Sequence, residues 1–208
     1  MTDKKKIHTP LPLGFTLIET LMAILILSVS IAGPLTIASR GLNAALASKN
    51  RTTAFYLAQD AMEFVRYKRD SNCLTVSSGG CAGAAWLTTL SGSAGNNGCV
   101  SADGSLVCDV DSIQGTVIPC SSGTCEPLNY KNSAYFYTHA SISSPTIVQS
   151  AFTRTVKIIT PVCNPPGSTT VPCNADEAQV SVTVSWLNIG TATTKPSVTI
   201  QEEIFNWQ

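Results

Sequence analysis

The residues from Phe15 to Ser39, FTLIETLMAILILSVSIAGPLTIAS, form a 25-residue apolar run that contains no Lys or Arg. A helix needs roughly 20 such residues to cross a bilayer, so this run is long enough to span one. Upstream lies MTDKKKIHTPLPLG, where Lys4, Lys5 and Lys6 outnumber Asp3. Lysines before an apolar segment hold that end in the cytoplasm. An ordinary secretory signal has a shorter core and an exit of small residues. Here the core is too long, and its exit, TIASRGLNAAL, fits poorly. Hydropathy alone therefore describes a single-span signal anchor.

One carboxylate interrupts the run. A carboxylate near the centre of a span costs about 2.5–3.5 kcal/mol on insertion scales, and such a residue calls for a named partner. The span offers Glu19 no cation. Cleavage between Gly14 and Phe15 would create one, an α-amino group four residues away. Glu19 makes chemical sense if Phe15 becomes an N-terminus and the carboxylate meets its ammonium group, within one subunit or between two. Gly14 suits a cleavage site, because backbone without a side chain leaves a protease cleft unobstructed.

The stretch Gly14-Phe15-Thr16-Leu17-Ile18-Glu19, after a short basic leader and before an unbroken apolar helix, resembles the class III signal of type IV prepilins and type II secretion pseudopilins. The resemblance implies that a prepilin peptidase cuts after Gly14 and methylates the amine of Phe15. It also implies that Glu19 recognises the N-terminus of a neighbouring subunit during assembly. Farther along, AFYLAQDAMEFVR resembles the corresponding helix of minor pilins and pseudopilins of the PilV and GspI type.

Gly33-Pro34 lies well inside the run. Proline removes a helical hydrogen bond and clashes with the preceding turn, so a kink is expected there. The resemblance adds a second reading, a segment that bends or melts when subunits pack. Past the span, Ala54, Leu57, Ala58, Ala61, Met62 and Val65 share one face at helical spacing. Thr52, Gln59, Asp60, Glu63 and Arg66 share the other. The spacing predicts helix from Phe15 to about Arg69, roughly 80 Å at 1.5 Å per residue, with the apolar stripe turned to a core.

Eight cysteines in 208 residues suggest an oxidising compartment. Six of them, Cys73, Cys81, Cys99, Cys108, Cys120 and Cys125, fall in a Gly/Ser/Asn-rich stretch that reads as loop and short strands. Eight cysteines allow 105 pairings. Short separations favour Cys73 with Cys81, Cys99 with Cys108, Cys120 with Cys125, and Cys163 with Cys173. Such a stretch buries little apolar area, so cross-links offset its ordering entropy. No metal is expected. Asp103, Asp109 and Asp111 lack the loop spacing and terminal glutamate of a calcium site. Zinc lacks a C-x-x-C pair, and His139 would be the single histidine left after cleavage.

The C-terminal third reads as β. In AQVSVTVSWL, Val180, Val182, Val184 and Trp186 alternate with Ser181, Thr183 and Ser185, the pattern of a half-buried strand. FTRTVKII, AYFYTHAS and SVTIQEEIFNW are also strand-like, and turn signals without helical crossovers imply an antiparallel meander. The order of these strands loosely resembles the C-terminal sheet of the same minor pilins. The expected fold is α+β. A long N-terminal helix, transmembrane and then amphipathic, packs on a C-terminal antiparallel sheet, with a disulfide-rich loop region between them. The expected segments are a leader (1–14), a transmembrane and assembly helix (15–39), an amphipathic helix (40–70), a cysteine-rich region (71–133) and the sheet of the head (134–208).

No G-x-S-x-G, paired acid motif or phosphate loop is present, His139 sits in an aromatic strand, and Glu202 and Glu203 point to opposite faces. No enzyme activity and no cofactor are expected. Thirteen basic and thirteen acidic residues cancel, so nucleic acid is not an expected partner. The resemblance implies a minor pilin, a structural subunit of a type IV pilus. Its partners would be other pilin subunits, the prepilin peptidase, the inner-membrane platform and lipid. It would reside in the bacterial inner membrane as a precursor, N-terminus cytoplasmic, and then in an extracytoplasmic filament. The alternatives are a minor pseudopilin of type II secretion and a single-span anchored surface adhesin.

Overall fold

The computed structural model describes residues 14–75, 86–91, 98–121, 123–141, 145–160, 176–187 and 195–206. The chain divides into two compact units, Met1–Ser48 and Lys49–Gln208. Helix α1 (Leu17–Thr75) has 59 residues and runs unbroken through Gly33 and Pro34. It extends six residues beyond the Arg69 limit expected from the apolar spacing. In the first unit its hydroxyls are satisfied by the helix itself. Ser28, Ser30 and Thr36 donate to the carbonyls of Ile24, Ile26 and Ala32 at 2.7–2.9 Å. This back-bonding lets Ser and Thr sit in an apolar helix without outside partners.

In the second unit the stripe Ala54, Leu57, Ala58, Ala61, Met62 and Val65 is buried, together with Phe64. It joins one core with Val156, Ile158, Val180, Val182, Val184 and Ile204 of the main sheet. Three alanines in the stripe let the helix approach the sheet closely. The short helix α2 (Thr88–Ser91) adds Leu90, and Trp86 just before it is fully buried.

The main sheet runs β3 (Thr116–Pro119), β2 (Cys108–Asp111), β7 (Phe152–Ile159), β8 (Glu177–Trp186), β9 (Ser197–Phe205). Neighbours in this order pair antiparallel, and β1 (Val100–Ser101) pairs with β7 in parallel. A second sheet orders β5 (Phe136–Thr138), β4 (Asn129–Lys131) and β6 (Ile147–Gln149). The expected meander holds for β7–β8–β9. The aromatic strand β5 belongs to the second sheet, and the cysteine-rich middle supplies β2 and β3 to the first. Strand β2 is buried at every position, so it carries no alternation to read. On β8 the valines and Trp186 are buried and the Ser/Thr set lies outward, where Thr183 and Thr199 hydroxyls meet at 2.9 Å. A one-residue slip would turn every valine outward, which fixes the register.

Between β2 and β3, the carboxylate of Asp111 accepts the N–H groups of Ile113 (3.0 Å) and Gln114 (2.9 Å). Gly115 then adopts φ 70°, a left-handed value that a residue with a side chain resists, and donates its N–H to the Asp111 carbonyl. Cys99–Cys108 and Cys120–Cys125 are disulfides, as the short separations suggested. Cys73 is also disulfide-bonded. Cys81, Cys163 and Cys173, and hence the pairings expected for them, lie outside the described residues.

A buried guanidinium ties these elements together. Arg154 of β7, 2% exposed, donates to Asp109 of β2 (2.7 Å), to the Leu57 carbonyl (3.0 Å) and Asp60 (2.9 Å) of α1, and to the Val110 carbonyl. The second oxygen of Asp109 meets His139 Nε2 at 2.6 Å. Asp111 accepts from Thr138 Oγ1 and the His139 N–H, both at 2.7 Å. Burial works against the charge on Arg154, and attraction and hydrogen bonding from Asp109 and Asp60 outweigh it, so its pKa stands above the ordinary arginine value. Burial likewise pushes the Asp111 carboxyl up. Its bonds from Thr138, His139, Gln114 and Ile113 outweigh that and hold it below the usual carboxylate range.

Two outcomes follow for the folded head. Arg154→Met leaves Asp109 buried without its main counter-charge and should cost about 3–5 kcal/mol, read by denaturant unfolding through the fluorescence of the buried Trp86 and Trp186. Arg154→Lys should recover only part of this, because one ammonium cannot reach the same set of acceptors. A carboxylate with a depressed folded pKa stabilises above its unfolded value, near 3.9, and that contribution is lost as pH falls through the folded value. Unfolding free energy should therefore drop with acidification below about pH 4, and Asp111→Asn should flatten that slope while lowering stability at neutral pH.

Candidate functional site

Gly14, Phe15 and Thr16 precede α1 and are exposed. Thr16 caps the helix. Its carbonyl accepts the N–H of Glu19 at 3.1 Å and of Thr20 at 3.2 Å, and its Oγ1 accepts the Glu19 N–H at 3.3 Å. Thr16-Leu17-Ile18-Glu19 is the T-x-x-E pattern that opens a helix, with the acid in the first turn beside the positive end of the helix dipole. A capping threonine contributes about 1 kcal/mol.

Glu19 stands in the first turn of α1, at the fifth position of the 25-residue apolar run. The capping signal was present in the sequence, and it gives Glu19 a local reason to be acidic. It does not give the carboxylate a partner. Among the described residues the Glu19 oxygens make no hydrogen bond or ion pair, and the next cation along the chain is Arg40, about 32 Å away along the helix.

Among the described residues nothing covers the helix that follows. Phe15 is 81% exposed, Leu17 78%, Val29 68% and Ile37 73%, and no residue from Gly14 to Lys49 is buried. The apolar side chains face every direction around the axis. A helix apolar all round belongs in lipid or among other chains. Its most apolar window has a mean hydropathy of 2.2, long and apolar enough to cross a membrane. Gly33 and Pro34 lie within the same exposed stretch. Gly14, Phe15 and Glu19 lie together at the start of α1.

The polar residues weighed for catalysis or metal binding lie in the second unit and are committed to structure. Asp109, Asp111 and His139 belong to the network around Arg154. Asp103 accepts the Ser105 N–H at 2.9 Å. Glu202 pairs with Arg66, which also meets Glu63, while Glu203 is exposed. Arg154 is the residue that sequence reading passed over. Its signal was the alternation itself, since Phe152, Arg154, Val156 and Ile158 share one strand face, and a cation on a core face requires an acid beside it.

Comparison with protein-family models, with curated proteins and with solved structures finds no match.

Proposed function

We propose that this chain is a minor pilin, a structural subunit of a type IV pilus, cleaved after Gly14 and N-methylated on Phe15. One observation carries the reading: Gly14-Phe15-Thr16-Leu17-Ile18-Glu19 opens a helix that is apolar on all sides and, among the described residues, uncovered, with a carboxylate that has no partner among them. The cysteine usage of the head and its disulfides support export from the cytoplasm.

The chemistry then runs in order. The lysines of the leader hold the precursor with its N-terminus in the cytoplasm. Peptidase cleavage at Gly14 exchanges a neutral peptide bond for an ammonium group on Phe15. The apolar helix next leaves lipid for the interior of a fibre. Lipid and neighbouring apolar helices are alike as solvents, so this transfer carries little hydrophobic preference of its own. A carboxylate from Glu19 on a neighbour's ammonium is direction-specific, and it sets how far one helix lies above the next.

Mass spectrometry of the mature protein tests the processing step. The expected N-terminus is methylated Phe15, followed by Thr-Leu-Ile-Glu. Gly14→Trp should leave the leader attached and the protein in the inner membrane. A wild-type chain that retains Met1, or starts elsewhere, would favour a plain membrane anchor.

A further inference from the structure

The two edges of the main sheet offer different things to an incoming strand. On β3, the Cys120 N–H donates to the Val107 carbonyl at 3.2 Å, and Ile118 lies opposite Asp109. Ile118 and Thr116 therefore turn their backbone groups to β2, and Val117 and Pro119 turn theirs outward. Pro119 has no N–H to present, which blunts this edge. On β9, the Trp186 N–H donates to the Pro196 carbonyl at 3.1 Å and the Asn206 N–H to Asp176 at 2.7 Å. With Val184 opposite Val198, the even-numbered residues bond to β8. Ser197, Thr199, Gln201, Glu203 and Phe205 turn N–H and C=O outward. None is proline, and Ser197 to Gln201 carries no charge. Among the described residues no strand pairs with this side of β9.

An open groove of about 540 Å³ adjoins the same stretch, lined by Arg51, Thr52, Phe55 and Tyr56 of α1 and by residues 197–200. Phe55 and Tyr56 are 43% and 65% exposed. Arg51 in the groove and Lys195 just before β9 are exposed and have no acidic partner among the described residues.

We propose that β9 is a docking edge that takes an extended segment of a different protein as an added strand. That segment places an apolar side chain beside Phe55 and a carboxylate against Arg51 and Lys195. Main-chain bonds supply affinity in such additions and side-chain pockets supply selectivity. Two unpaired cations at one end of the edge ask for an acid there. A second copy of this chain fits less well. In the same orientation it offers β3, which Pro119 blunts and which carries no carboxylate. Related by a two-fold axis it brings β9 to β9, and the axis reverses the Lys49–Thr75 part of α1, so its Lys49 ends lie at opposite ends of the joined sheet.

The test uses the full chain in detergent micelles with two seven-residue synthetic peptides of alternating Val and Thr, one ending in Asp and one in Lys. Amide hydrogen exchange is followed at Ser197, Thr199 and Gln201. The Asp-ended peptide should slow these amides and bind at least about tenfold more tightly than the Lys-ended one. Arg51→Glu should abolish that preference, because Lys195 remains, and Arg51→Glu with Lys195→Glu should reverse it. Thr199→Pro removes an N–H that faces outward, so the fold should persist while protection by the peptide is lost. Amides already protected in the peptide-free chain would overturn the proposal, because the chain's own residues would cover the edge. Protection that grows with protein concentration as dimers sediment would assign the edge to a second copy. Equal binding of the two peptides would remove the basis for an acidic partner. No filament enters this experiment, so its outcome is separate from the pilin reading.

Discussion

The Arg154 guanidinium is where the head is held together. Its donors reach α1 through Leu57 and Asp60, and β2 through Asp109 and Val110, while Arg154 itself belongs to β7. Asp109 carries the connection on to His139, next to the second sheet. Van der Waals packing alone tolerates sliding of a helix over a sheet. A buried cation with four directed bonds does not, because each acceptor left behind is a buried polar group without a partner. The network adds position where the apolar core adds cohesion, which suits a head whose middle segment is poor in apolar residues.

Helix α1 meets two environments. From Asn50 onward a stripe of apolar residues at helical spacing finds the sheet. Before it, apolar residues surround the axis and find nothing. The same secondary structure serves both because it satisfies its own backbone groups wherever it is placed. The proposed function uses that difference: the folded part is complete by itself, and the uncovered part becomes stable only in lipid or among like helices.

The helix and the β7–β8–β9 meander were legible because their signals are periodic. The residues that spacing assigned to the inner faces of α1 and β8 are all buried, and it missed Phe64 and Ala178. The β2–β3 hairpin was not legible as part of the main sheet, since β2 is buried on both faces and spends two of its four positions on aspartates. Those aspartates match no calcium loop, and their structural use shows only when Arg154 is seen to share a face with Phe152 and Val156. Two disulfides followed from short loop closures. At the N-terminus, Gly14, Phe15 and Glu19 stood out from sequence, but the capping role of Thr16 and the first-turn position of Glu19 needed the helix start to be located. With that start known, Glu19 has a local use at the helix terminus as well as the proposed use between subunits.

Those two uses of Glu19 separate in one measurement. Wild-type and Glu19→Val chains are expressed in the native host, cleavage after Gly14 is confirmed for both, and sheared filaments are assayed for the subunit. The local role concerns the end of one helix and leaves incorporation unchanged when it is lost. The intersubunit role predicts a mutant that is cleaved and folded yet reduced in filaments by at least about tenfold, the ratio that roughly 1.4 kcal/mol produces. Normal incorporation of Glu19→Val would contradict the role assigned to Glu19, and absence of the wild-type chain from every filament fraction would contradict the assignment as a pilin.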